Sequence, residues 1–370
     1  MNTKLAPLSF LLLLVQSYNS FSQVKFIRCY GGNGYDLYYT GRQTPDGGYI
    51  LCGYTNSYGS GQADGYLIKT NSNGDTSWVK TFGGTGQDYL YSALPTSDGG
   101  YIAAGTSMSF GLGGPDIYVV KTDANGNHSW SKTYGGSATE DALKIISTND
   151  GGYLLTGFTT SGNIGPLLVK INSVGDTTWT RVFNSGNPTS FIQDIKQTSG
   201  GGYILAGNVY ENSTTDYDML IMSLNSTGTA GTTITLGGGA TNEHVADIFT
   251  AVLQTSDGGF IFGGKSANFG GGFNVVLMRT DAALNISWTK YYGGTAGEEF
   301  CSEIVETPDG GFAVAGSSTS FSAFYQATLF KTDALGNLLW AKGYYTASAE
   351  FLSIELCPDG GFFLTGYSSL

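Results

Sequence analysis

The chain has 370 residues; 57 are Gly, 41% are hydrophobic and 14% aromatic, but only 12% are charged. Glycine at about twice its usual ~7%, without a three-residue period, excludes collagen, and proline plus glycine stays below the ~25–30% of aperiodic disordered chains. Seventeen basic against 29 acidic residues leave a net charge of −12, which repels phosphate and argues against a nucleic-acid partner.

Residues 1–22 read as a signal peptide. Lys4 supplies the positive start, Leu8, Phe10 and residues 11–15 a short apolar run, and Ser20 and Ser22 the small residues before a cleavage site. The run is far shorter than the ~20 residues that span a bilayer, and no later segment is longer, so no membrane span is expected. Residues 23–370 are expected to form a soluble, exported domain.

Self-similarity then organises the chain. A DGG-type turn begins at Asp46, Asp98, Asp150, Gly200, Asp257, Asp309 and Asp359, at separations of 52, 52, 50, 57, 52 and 50 residues. Each of the seven copies divides into four strand-sized pieces. In the second copy, strand A covers 88–96, and Ser97-Asp98-Gly99-Gly100 turns into strand B at 101–107. Strand C covers 116–122, and Asp123-Ala124-Asn125-Gly126 turns into strand D around Trp130. Glycines at these turns supply positive φ.

Strand C is apolar on both alternating faces, which means burial on both sides. Sheets must then lie in front of it and behind it, and radial stacking of four-stranded sheets is a β-propeller. From the start of strand C to the Trp position of strand D is 14 residues in all six copies that contain it, ending at Trp78, Trp130, Trp179, Thr232, Trp288 and Trp340. The indoles are expected to pack structurally onto the neighbouring blade, with Thr232 the exception and Phe26 in the role at the N-terminus. A β-solenoid is the rival architecture, but it needs no Trp at this period.

The fold class expected is therefore all-β: a seven-bladed propeller of four-stranded antiparallel blades, the last one incomplete. Residues 24–30 read as a strand D and 361–368 as a strand B, so the seventh blade lacks strand C, which would begin near a position 377 that the sequence does not contain. Strands B and D run the same way in such a blade and cannot simply join. A chain that continues in the native protein would complete it. Cys29, Cys52, Cys301 and Cys357 occupy non-equivalent repeat positions. They permit disulfides in an exported protein but outline no framework.

The residues Gly83 and Gly84 with Asp88, Asp98-Gly99-Gly100-Tyr101, Gly105-Thr106-Ser107, and Asp116 with Lys121 resemble the repeats of the SBBP family of bacterial secreted propellers. The strand C–strand D hairpin with its Trp also resembles the tryptophan-docking blades of quinoproteins, although no quinone-site residues can be placed. The resemblance implies a cell-surface or extracellular setting, commonly with type IX secretion. It is specific for fold and says little about activity.

Up-and-down topology sends the A–B and C–D turns to one face. Asp123, Asn125 and Asn127 there echo a calcium loop, but the Gly at its sixth place and the Glu at its twelfth are missing. The other face varies more. An acidic residue opens strand A at Asp36, Asp88, Asp141, Asp247, Glu299 and Glu350, with Ser190 in the fourth copy. These carboxylates either cap backbone N–H groups of their own D–A loops or form a ligand site. Clustered carboxylates repel unless a cation compensates, so Ca2+ is the one cofactor in view.

Tyr58, Phe110, Phe269 and Phe321 sit in the B–C loops of the same face. They suit stacking on sugar rings or docking a protein, or packing against a neighbouring blade. An insertion at 241–246 adds Glu243 and His244. With His128 and His244 the only histidines, no His cluster for a metal is available. The arginines, at 28, 42, 181 and 279, are scattered. The function expected is a non-catalytic binding or scaffold module for a glycan or protein partner. The alternative is a carbohydrate-active enzyme using two of the carboxylates.

Overall fold

The computed structural model describes residues 10–11, 26–162, 164–183, 190–211, 216–237, 247–267, 272–294, 297–320, 324–344 and 348–368. Two compact units are formed, residues 1–145 with 345–370, and residues 146–344. The architecture is an all-β propeller built of antiparallel meanders.

The first unit contains two complete blades. Their strands A to D are Asp36–Gln43, Tyr49–Thr55, Asp64–Thr70 and Thr76–Phe82, then Asp88–Pro95, Tyr101–Ser107, Asp116–Thr122 and His128–Tyr134. The third sheet opens with Glu140–Ser147, the strand in which the division between units falls, and continues as Tyr153–Thr159, Gly165–Ile171 and Thr177–Val182. In the second unit follow Phe191–Gln197, Tyr203–Glu211, Asp216–Leu224 and Ala230–Leu236, then Ile248–Gln254, Phe260–Ser266, Asn274–Thr280 and Ile286–Tyr292. The sixth blade is Glu299–Glu306, Phe312–Ser318, Gln326–Thr332 and Leu338–Tyr344.

The expected seven-bladed propeller is corrected to six blades. The seventh sheet is incomplete, with only two full strands, Ala349–Leu356 and Phe362–Ser368. Two-residue strands, Phe10–Leu11 and Arg28–Cys29, extend it in the order Arg28–Cys29, Phe10–Leu11, Phe362–Ser368, Ala349–Leu356. The physical reason is that, among the described residues, no full strand C stands between strand B and the N-terminal strand D, which share a direction, so an antiparallel ladder between them needs a strand in the middle.

Both hairpin types are set by short polar sequences. At the A–B turn the Asp98 carboxylate accepts from the Thr96 hydroxyl (2.5 Å) and the Gly100 amide (3.1 Å), and Gly99 takes φ +82°. At the C–D turn Asp123 Oδ1 accepts from the amides of Asn125 and Asn127, both at 2.8 Å. The side-chain amide of Asn127, then its backbone amide, hold the Asp123 carboxyl below its ordinary range. The calcium-like spacing is spent on this turn.

Blades pack face to face through apolar clusters. In the first unit Ile50, Leu67, Leu90, Ala103 and Val120 join the first two blades. The incomplete sheet meets the first blade through Tyr49 and Phe363, whose rings stack at 4.0 Å and 4°. Within the second unit similar clusters join consecutive sheets, for example Ile204, Phe249, Phe262 and Val276.

The strand-D aromatics lock these interfaces. The indole of Trp78 lies on Gly126 in the next blade, where an added Cβ would come within 2.9 Å of the ring, and its Nε1 donates to Ala124 O (3.2 Å). Trp179 covers Gly228, Trp288 covers Gly336 and Phe26 covers Gly74 in the same way. Trp130 and Trp340 are half-buried, with Lys132 and Lys342 over their rings. None of the four cysteines is in a disulfide, and burial pushes the thiols of Cys52 and Cys301 up to about 12.

Candidate functional site

Most of the carboxylates that open strand A are turned inward. Asp88 is fully buried and accepts from the Gly84 amide (2.8 Å), the Ser107 hydroxyl and the Ser109 hydroxyl (2.5 Å). Asp36 accepts likewise from the Gly32 amide (2.7 Å), Thr55 and Ser57. Asp247 is buried, and its amide donates to Tyr217 O. Glu299 accepts from Ser318 (3.1 Å) and Ser320 through Oε1. Such a carboxylate orders its own D–A and B–C loops, each donor replacing a water that the buried anion has lost.

Two sequence assignments shift by one residue. The buried place ten residues before the turn is held by Glu140 and Ala349 in the third and seventh repeats, not by Asp141 and Glu350. Glu140 accepts from the Gly136 amide (2.7 Å), as Asp88 does from Gly84. Asp141 and Glu350, one residue on, fall on the opposite face of the strand and are partly exposed. Tyr367 donates to Glu350 (2.9 Å).

A second carboxylate, at the start of strand C, approaches the first. A Cβ on Gly83 would collide with both Asp64 and Asp88, and one on Gly135 with Asp116 and Glu140. Burial, with Glu140 adding to it against a hydrogen bond from the Leu112 amide, raises the Asp116 carboxyl. Gly83 and Gly135 are therefore what lets two acidic side chains share that space in the second and third repeats. Among the described residues, no three His, Cys, Asp or Glu side chains group as a metal site.

The aromatics of the B–C loops pack on their own blades while keeping an exposed edge. Tyr58 stacks on Tyr66 at 6.0 Å and Phe110 leans on Tyr118 at 5.5 Å, yet they remain 50% and 44% exposed. Phe269, Phe321, Glu243 and His244 lie outside the described residues.

Phe110 borders a cleft of about 490 Å³ at the seam between the first and second blades. Lys80, Thr81 and Phe82 of one strand D, with Gly83 just after it, form one wall, and Tyr118, Gly126, Asn127, His128 and Ser131 of the next C–D hairpin form the other. An apolar ring at one end and amide, hydroxyl, imidazole and ammonium groups along the walls match what holds a polyhydroxylated ligand. Of the candidate residues read from the sequence, only Phe110 lies here, because a cleft between strands of adjacent blades has no contiguous signature.

A tyrosine cluster also escaped the sequence. Tyr39 and Tyr91 meet edge-on at 4.9 Å, Tyr54 and Tyr89 at 5.0 Å, and Tyr89 donates to Gln87 Oε1 (3.0 Å). Burial raises all four phenols. Tyr39 and Tyr91 occupy the bulge of strand A, where the ladder skips a residue between Tyr38 and Thr40 and between Leu90 and Ser92.

No protein-family model matches the sequence, and a search of curated proteins gives no match. Solved structures do resemble the fold. Puromycin hydrolase aligns with a TM-score of 0.52 at 14% identity, over 87% of this chain and 50% of that one. Sqt1 from Chaetomium thermophilum aligns at 0.49 and 11%, over 90% and 96% of the two chains. Quinohemoprotein alcohol dehydrogenase from Comamonas testosteroni aligns at 0.44 and 8%, over 87% and 65%. The chain spans about half the length of the puromycin hydrolase it matches. At these identities the likeness is one of fold, a β-propeller. No helix among the described residues is long and apolar enough to cross a membrane.

Proposed function

We propose that this protein is a non-catalytic binding module for a glycan chain, held in the cleft between the first and second blades. The observation that carries the reading is the cleft itself, where the partly exposed ring of Phe110 faces a seam lined by Lys80, Asn127, His128 and Ser131. A strand of seven residues spans about 20 Å, so a seam that runs from B–C loop to C–D turn accommodates several linked sugars. Lys80 favours an anionic sugar among them. The leader-like residues 1–22 and the resemblance to SBBP repeats support an exported, cell-surface or secreted setting.

A glycan array followed by titration tests this. The wild type is expected to bind at least one linear glycan saturably without releasing product, and Phe110→Ala to weaken that binding about tenfold, as loss of an aromatic platform does. Retained affinity in Phe110→Ala overturns the assignment to this cleft. Product release in place of binding would instead point to the carbohydrate-active enzyme.

A further inference from the structure

The bulge in strand A recurs through the molecule, but its side chain does not. The ladder skips one residue in the first, second, fourth, fifth, sixth and seventh repeats, and the residue skipped is Tyr39, Tyr91, Gln193, Thr250, Ser302 and Leu352 in turn. An amide, two hydroxyls and an aliphatic chain serve the bulge as well as a ring does, so the architecture does not ask for tyrosine there. Bulges re-aim a side chain and are over-represented beside functional sites.

Tyr54 and Tyr89 join the two bulge tyrosines in a closed circuit of rings. Centroids lie 6.3 Å apart from Tyr39 to Tyr54, 5.0 Å from Tyr54 to Tyr89, 6.1 Å from Tyr89 to Tyr91 and 4.9 Å from Tyr91 to Tyr39. Tyr89 and Tyr91 are nearly parallel, at 14°, and form one wall. The second wall stands close to upright against it, Tyr39 meeting Tyr91 at 70° and Tyr54 meeting Tyr89 at 86°. All four rings are half-buried, so each keeps part of its surface in solvent.

A carboxylate stands beside them. Asp141, the second residue of the third strand A, is partly exposed, and its charge adds to burial and to Tyr39 in raising the Tyr91 phenol. Asp36 and Asp88, whose charges add to burial in raising Tyr54 and Tyr89, are engaged by loop amides and hydroxyls. The four tyrosines and Asp141 all belong to the first unit.

Aromatic faces next to a carboxylate, on a chain of net charge −12, attract a cation. The donors and acceptors say which kind. A metal ion needs several hard ligands, and among the described residues no three His, Cys, Asp or Glu side chains group as a metal site. A primary ammonium carries three donors and would lose water to rings that replace few of its hydrogen bonds. A quaternary ammonium has no donor to satisfy, and its methyl groups pack on ring faces.

We propose that Tyr39, Tyr54, Tyr89, Tyr91 and Asp141 form a binding site for a small quaternary ammonium compound of the choline type. The methylated nitrogen packs in the angle between the two tyrosine walls, and Asp141 supplies the counter-charge. The site shares no residue with the cleft at Phe110 and does not depend on what fills that cleft.

Titration calorimetry of the full chain tests the site, with choline and with its uncharged isostere in which carbon replaces the quaternary nitrogen. Choline is expected to bind saturably, and the isostere at least about tenfold more weakly. Asp141→Asn, a change at a partly exposed position, is expected to weaken choline binding at least about threefold in low salt, and less at about 0.5 M salt, where exposed charges are screened. Tyr91→Leu is expected to weaken it at least about fivefold, and Tyr91→Phe, which keeps the ring, less than about twofold. Circular dichroism establishes that each variant is folded; if Tyr91→Leu is not, the isostere and Asp141→Asn decide. Absence of saturable choline binding, an isostere bound as tightly as choline, or unchanged affinity in Asp141→Asn or in folded Tyr91→Leu would each overturn the proposal.

Discussion

At the fifth blade the docking rule is kept by changing both of its partners. Where other copies have a ring on strand D and a glycine on the following C–D turn, the fourth blade has Thr232 and the fifth has Leu284. Leu284 adopts φ +68°, the left-handed conformation its glycine counterparts use, and is 7% exposed within the cluster that includes Ile234 and Met219. The left-handed conformation costs a branched residue about 1–2 kcal/mol, offset by the ~1.5–3 kcal/mol of burying a leucine. The side chain packs into the apolar cluster between the fourth and fifth blades. Thr232→Trp alone is expected to destabilise by about 1–3 kcal/mol through overpacking. Adding Leu284→Gly is expected to recover most of that loss. A double-mutant cycle by urea denaturation, with a coupling of at least about 1 kcal/mol, checks it; additive effects would mean that the two sites are independent. The sequence reading saw Thr232 as an exception but not its compensation, because the partner lies in the next repeat at a place defined only by the packing of two sheets.

Five of the A–B hairpins are closed by a cation from strand C, Lys69, Lys121, Lys170, Arg279 or Lys331. Lys69, Lys121 and Lys170 are 2–4% exposed, and each reaches an aspartate at the turn and a backbone carbonyl beside it, as Lys121 does to Asp98 (2.8 Å) and Thr122 O (3.0 Å). Burial pushes the Asp98 carboxyl up, but hydrogen bonds from Lys121, Thr96 and the Gly100 amide outweigh it and bring it from 3.8 to about 2. Asp46, Asp150 and Asp309 follow the same balance to about 2, and Asp257 reaches it through Thr255, the Gly259 amide and Arg279. A carboxyl depressed on folding stabilises the fold above its unfolded value and loses that contribution as pH falls toward the folded value. The melting temperature is therefore expected to drop steeply between about pH 4 and pH 2. Asp98→Asn, which leaves a buried ammonium with one partner fewer, is expected to cost about 1–3 kcal/mol at pH 6 and to differ little from wild type near pH 2. A gap that stays constant from pH 6 to pH 2 would show that the ion pair is not what titrates. The hairpins were legible in the sequence because turn chemistry is local. The burial of Glu140 in place of Asp141 was not, because one residue in a strand reverses the face and only the loop it caps fixes which of two neighbouring acids turns inward.

The repeat count and the blade count of the molecule differ for a topological reason. Seven DGG-type turns are readable in the sequence, since each is a local hairpin, but a blade exists only where four strands pair, and among the described residues six sheets meet that condition in full. The incomplete sheet is nonetheless well buried. Tyr49 stacks on Phe363, and Arg42 donates to Ser353 (2.8 Å), so its first two strands are held by the first blade as well as by each other. Among the described residues, strand B of this sheet has a full ladder on one side alone. Protection against amide exchange rises with the number of bonds and contacts that must break together. Among the described residues, Phe362–Ser368 has a seven-pair ladder to Ala349–Leu356 and one pair on its other edge, whereas Tyr101–Ser107 has seven pairs on each side. Amides of Phe362–Ser368 are expected to exchange at least about tenfold faster than those of Tyr101–Ser107, the rate ratio of a ~1.4 kcal/mol difference in opening free energy. Exchange followed by mass spectrometry on the peptides covering these strands makes the comparison within one sample. Equal protection would mean that sheet-to-sheet packing, not ladder completeness, sets the opening free energy of this strand.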